Sequence, residues 1–259
     1  MNIQTTAIAG FATLALSVAA FSTQAASLVT NGSFESINLP PPDTSGLVTN
    51  APTVAGWQTT SGFSFVTNGD DASASYKVPS NDGNIAGSTG PFGPLYLWNS
   101  LNGGTTPAIT GSPDGGNFLA SDGAYRTGPI YQVINGLVQG GTYKLSFYQA
   151  AVQQHNYTDP TTQNWVVSLG SHTEQSALMN DAPKAFVPWS LQTLFFTADG
   201  TSELLSFLAQ GSITPAGVPP FSLLDGVVLV PTPIPAAAFF VIPALAGVFG
   251  FARRKRNEA

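Results

Sequence analysis

The chain has 259 residues and a formal charge of −6, yet only 8% of its residues are charged, against ~25% in soluble proteins generally. With 27 glycines and 20 prolines it is short of helix-forming surface and rich in turn residues, and its length suits one large all-β domain or two small ones. Without residues 1–25 and 231–259 there remain 13 acidic and 4 basic side chains, a charge of −9. That excludes an electrostatic basis for binding nucleic acid or anionic lipid and leaves divalent cations as the natural charged partners. Cysteine is absent, which removes disulfides, a thiol nucleophile and a Cys-based zinc site.

Residues 1–25 read as a secretory signal peptide. A polar start precedes an apolar run from Ala7 to Phe21, and Thr23 and Ala25 place small side chains at the −3 and −1 positions that signal peptidase recognises. The run is short for an uncleaved anchor across a ~30 Å hydrocarbon core.

From residue 26 to 230 the sequence alternates short β-type runs with clusters of Gly, Pro, Asn, Asp and Ser. Strands are predicted at Ser27–Thr30, Gly62–Thr67, Asn117–Ala120, Ile130–Ile134, Thr142–Ala150, Trp165–Leu169, Leu191–Thr197, Leu204–Ala209 and Ser222–Val230. With no long helix, this predicts an all-β fold of two packed antiparallel sheets. The alternation is clearest at Tyr143, Leu145 and Phe147 against Lys144, Ser146 and Tyr148, a half-buried strand. Leu191–Phe196 turns apolar on both faces and reads as a central strand covered on both sides. Asn68–Pro113 reads as loop and carries Tyr96 and Trp98. There is no internal repeat and no boundary that would split the region.

Several short elements in this region stand out: Leu28-Val29-Thr30-Asn31-Gly32-Ser33-Phe34-Glu35, then Gly56-Trp57, then Ile130–Leu137 running to Gly141–Phe147, and finally Leu223-Leu224-Asp225-Gly226-Val227. In this order they resemble the galactose-binding-like jelly roll of many carbohydrate-binding modules. The resemblance implies a structural calcium ligated by Glu35 and Asp225, joined by backbone carbonyls near Ser33. Calcium suits such a site as a hard cation taking 6–8 oxygen ligands; the alternative is that Asp225 caps a turn and Glu35 accepts backbone donors. Sugar binding needs exposed aromatic faces on which a pyranose stacks. Trp98, in its polar loop, is the best candidate, with Tyr96 and Trp57 beside it; Tyr125, Tyr157 and Trp165 are further candidates, and Trp165 and Trp189 read as structural.

The C-terminal segment 231–259 has three parts. Val230-Pro231-Thr232-Pro233-Ile234-Pro235 is a proline motif. Residues 234–251 form an uncharged run of 18 residues, at the lower limit for a transmembrane helix. Arg253, Arg254, Lys255 and Arg256 follow at once and orient the body of the chain away from the cytoplasm. This order resembles the PEP-CTERM tail of Gram-negative exopolysaccharide producers, in its Val-Pro-x-Pro form. The resemblance implies export across the inner membrane, a transient anchor, and release to the surface or matrix by an exosortase-type membrane protease.

Catalytic signatures are sparse. His155 and His172 fall in loop-like sequence without triad or metal spacing, no acid pair has a distinctive motif, and neither a nucleophile elbow nor a phosphate loop is present. The expectation is a non-catalytic exported surface or matrix protein that binds exopolysaccharide; the alternative is a secreted polysaccharide-active hydrolase or lyase on the same fold.

Overall fold

The computed structural model describes residues 25–38, 46–47, 54–59, 62–68, 97–98, 103–105, 109–155, 157–213 and 219–232. Tyr96, residues 1–24, Pro233, Pro235, the apolar run 234–251 and the basic cluster Arg253–Arg256 lie outside them. Among the described residues no helix is long and apolar enough to cross a membrane.

Two antiparallel sheets form a β-sandwich of the jelly-roll kind. The strands are β1 (Gly46–Leu47), β2 (Gln58–Thr59), β3 (Ser64–Asn68), β4 (Asn117–Asp122), β5 (Ile130–Asn135), β6 (Thr142–Gln153), β7 (Thr161–Leu169), β8 (His172–Gln175), β9 (Met179–Asp181), β10 (Phe186–Thr197), β11 (Ser202–Ile213) and β12 (Pro220–Pro231). The first sheet runs β1-β3-β4-β12-β6-β10 and the second β2-β5-β11-β7-β8, with β9 also paired to β7. The predicted alternation of β6 holds: Tyr143, Leu145 and Phe147 point between the sheets into a core with Trp57, Trp165, Phe207 and Leu229. Phe207 receives the edges of Phe147 at 5.2 Å and of Trp165 at 6.0 Å, the arrangement favoured by aromatic quadrupoles.

A second core lies on the opposite face of the first sheet. Phe65, Phe118, Ala120, Ala150, Val152, Phe221 and Leu223 alternate with the inward residues and pack under Leu97, Trp98 and Ile109. These three residues of the segment that reads as loop thus cover a sheet face, and every residue of β4 is buried.

Two strand expectations are corrected. β10 is the edge of its sheet, with Leu191 and Phe195 58% and 55% exposed; the stretches covered on both faces are β4, the second half of β6 and the first half of β12, because Leu97, Trp98 and Ile109 lie over the sheet there. Ser27–Thr30 is bent rather than extended, although it still runs beside the last strand, with Leu28 N–H donating to Leu229 C=O at 2.9 Å.

Candidate functional site

The closure of the domain brings three acids together. Asn31 takes a left-handed backbone (φ 51°) and its amide braces the turn, donating to Ser36 C=O and Ala55 C=O at 3.1 and 3.0 Å. This turn drives Phe34 into the core against Trp57 and leaves Glu35 exposed. Gly32 C=O accepts the Val227 N–H at 3.0 Å, which ties the turn, including half-buried Ser33, to a bulge in β12 between Asp225 and Val228.

Glu35 Oε1 accepts the Asn117 N–H at 2.6 Å, and Asn117 Nδ2 donates back to Phe34 C=O at 3.2 Å. Asp225, on the bulge, is fully buried, and neither of its oxygens accepts a well-formed hydrogen bond. Burial pushes its carboxyl up to about 8; the Ser112 hydroxyl and Gly226 N–H approach closely enough to oppose the shift in part, while Asp114 and Glu35 add to it through their negative charge. Glu35 and Asp225 are therefore neighbours as expected, and Asp114 is a third acid that the sequence reading missed.

The only sequence signal for Asp114 is its place in Asp114-Gly115-Gly116, a turn opening β4. Gly116 has φ +63°, and a methyl there would overlap the Glu35 carboxylate; a methyl on Gly226 would press on Asp114 at 3.2 Å. The glycines thus leave room around the acids. Among the described residues no trio of His, Cys, Asp and Glu side chains converges tightly enough to hold a metal by itself.

A different kind of surface covers the outer face of the second sheet. The register sets Tyr131 opposite Ser206 and Val133 opposite Leu204, and beside them Leu208 opposite Val166 and Gln210 opposite Asn164. Ser168 and Ser206 share a 2.7 Å hydrogen bond, and Asn164 Nδ2 donates to Gln175 Oε1 at 3.4 Å. No described outward residue of β2, β5, β11, β7, β8 or β9 carries a charge. Two open pockets flank this face. One of about 290 Å³ is lined by Thr30, Gly56, Gln58, Tyr131, Gln132 and Val133. The other, about 360 Å³, lies past the end of β5 between residues 123–127 and Leu208–Gly211, next to Tyr125, which is 61% exposed.

The aromatic candidates from sequence fall elsewhere. Trp57 is sealed in the core and its Nε1 donates to Asn31 C=O at 2.9 Å, so it shapes the acidic turn and offers no ring face. Trp98 is 6% exposed, with His155 4.3 Å from its ring and the Lys184 ammonium 5.1 Å away, because it roofs the second core. Trp165 is buried as expected, and Trp189 packs edge-on to Phe118. His172 opens β8 rather than lying in a loop; its Nε2 is 3.2 Å from Asp199, which also accepts the Ser171 N–H and hydroxyl. The order Ser–Asp–His leaves no base against the hydroxyl, so this is a braced turn rather than a nucleophile.

No protein-family model matches the chain, nor does any curated protein. Among solved structures it is similar to the enzymatically active domain of bacteriophage CBA120 tailspike protein 4 (12% identity, TM-score 0.37), covering 80% of this chain and 21% of that one. It is also similar to TmCBM61 in complex with β-1,4-galactotriose (10%, TM-score 0.35, covering 80% and 100%). A third is the K1 cleaved adhesin domain of Lys-gingipain from Porphyromonas gingivalis W83 (15%, TM-score 0.33, covering 73% and 98%). The chain thus spans about a fifth of the tailspike chain and nearly all of the other two.

Proposed function

We propose that this chain is a non-catalytic exported surface or matrix protein that binds neutral polysaccharide across the outer face of its second sheet. The observation that carries the reading is that face: an uncharged strip of amides, hydroxyls and short aliphatic groups around Tyr131, open to solvent and flanked by pockets. Neutral sugar chains present C–H faces and hydroxyls, which pair with an aromatic ring and with amides, whereas an anionic chain would need the cations this face lacks. Binding is favoured over hydrolysis because, among the described residues, the two acids with raised pKa, Asp181 and Asp225, are both sealed from solvent and beyond the reach of a glycosidic oxygen.

The acidic closure is read as a calcium staple. Asp225 with two orphaned buried oxygens, Glu35 and Asp114 fit a hard cation, which would complete its shell with carbonyls of the Gly32-Ser33 turn or water. When bound, the ion neutralises the carboxylates and fastens the N-terminal turn to the last strand. The proline motif from Val230, the apolar run and the basic tail are read as the exosortase sorting signal, placing the domain outside a Gram-negative inner membrane.

Affinity electrophoresis of the full chain through gels of neutral and of acidic polysaccharides tests the binding reading. Retardation is expected with neutral chains. Tyr131→Ala should weaken it about tenfold, the loss of one stacked ring, and Leu191→Ala on the other sheet should leave it unchanged. Retardation indifferent to Tyr131, or seen only with acidic chains, would refute the assignment.

A further inference from the structure

A second group of orphaned oxygens lies between the sheets, away from the acidic closure. Gln149, Ala151 and Gln153 point inward from β6, and Ser222 of β12 sits opposite Ala151 in the register. Across the sandwich, Thr161 and Gln163 of β7 face them, with Asp181 of β9 opposite Thr161. Gln153 Nε2 lies 3.4 Å from both Thr161 Oγ1 and Asp181 C=O, and Gln163 Nε2 reaches over to Phe221 C=O at 3.3 Å, next to Ser222, so polar groups of β6, β7 and β9 bridge the two sheets here.

All of them are at least 98% buried. Five oxygens have no partner: Asp181 Oδ1 and Oδ2, Gln149 Oε1, Gln163 Oε1 and Ser222 Oγ. The amide orientations are forced, since Gln149 Nε2 donates to Ala177 C=O at 2.9 Å and Gln163 Nε2 to Phe221 C=O, and turning either amide over would set oxygen against oxygen. The unpartnered atoms left between the sheets here are all oxygens. The one charge is Asp181; the nearest described cation, Lys184, directs its ammonium to the Trp98 ring instead.

Buried acceptors of this number are very rarely left unserved. A proton would neutralise Asp181 but serve only one of these acceptors, water alone would supply donors but leave an ionised carboxylate uncompensated, and a divalent ion would leave one positive charge uncompensated in a medium that penalises it heavily. The geometry points to a single dehydrated monovalent cation, sodium or potassium, held by Asp181 with the Gln149, Gln163 and Ser222 oxygens as a structural ion between the sheets.

The test is thermal melting of the full chain, with calcium chelated, in sodium, potassium and tetramethylammonium chloride at equal ionic strength. An ion that binds only the folded state raises its melting temperature, so a melting point several degrees higher in sodium or potassium than in the bulky ammonium salt is expected. Asp181→Asn should erase that difference while Asp225→Asn keeps it. Should Asp181→Asn fail to fold, sodium-23 NMR of the wild type, with broadening reversed by potassium or by unfolding, reads the same site directly. Equal melting in all three salts without sodium-23 broadening overturns the proposal, as does stabilisation by calcium that requires Asp181.

Discussion

Replacing Asp225 with Asn should stabilise the metal-free protein, an advantage that calcium should largely cancel by stabilising the wild type alone. Burial holds the Asp225 carboxyl up to about 8 against an ordinary value of 3.8. Between those values the unfolded chain has released its proton while the folded, metal-free protein keeps it, so stability falls as pH rises, by about 1.4 kcal/mol per pH unit. Below 3.8 both states are protonated and above 8 both are ionised, so the slope vanishes outside that window. Asn has the same shape and no proton to lose. In chelator, Asp225→Asn should therefore gain about 3 kcal/mol relative to wild type between pH 5 and pH 7, a relative rise of about 6–12 °C in melting temperature. With calcium at a hundredfold excess over its Kd the wild type is stabilised by about 2.7 kcal/mol, and the variant, lacking the charge, is not. Melting curves at pH 5, 6 and 7 with calcium and with chelator measure both. A variant less stable than wild type in chelator at pH 7 would show that the carboxylate is ionised and satisfied by hydrogen bonds, and the reasoning would fail.

Gly116→Ala should lose the calcium-dependent rise in melting temperature, because its methyl overlaps the Glu35 carboxylate, whereas Gly115→Ala, with positive φ but open space around it, should cost about 1–2 kcal/mol of stability and keep the rise. Differential scanning fluorimetry with and without calcium separates them; equal behaviour would remove Glu35 from the site. Neutralising Arg253, Arg254, Lys255 and Arg256 together should impair sorting, since orientation depends on cytoplasmic cations. Cell fractionation followed by mass measurement of the surface form reads this, and unchanged processing would make the cluster incidental.

The local code of the chain was sufficient for the strand-rich character and for most strands. In β6 the alternation of Tyr143, Leu145 and Phe147 with polar neighbours states which face is buried. A low charge fraction with many turn residues leaves little but a β-sandwich. The pairing of Glu35 with Asp225 was also legible, because first and last segments of such a sandwich close on each other. Tertiary structure decided the rest. β8 is exposed at every residue and so carries no burial pattern to read. β10 has apolar residues on both faces but lies at a sheet edge, a fact set by strand order and not by its own sequence. Trp57 and Trp98 are aromatic in polar surroundings along the chain, yet one fills the core and the other roofs the outer sheet face, because loops distant in sequence fold over them. Asp114 joins the acidic closure from a turn some 80 residues after Glu35. The uncharged strip around Tyr131 is assembled from five strands, each contributing alternate side chains. A surface of that kind exists only once the register is set, since a shift of one residue would turn every one of those side chains inward.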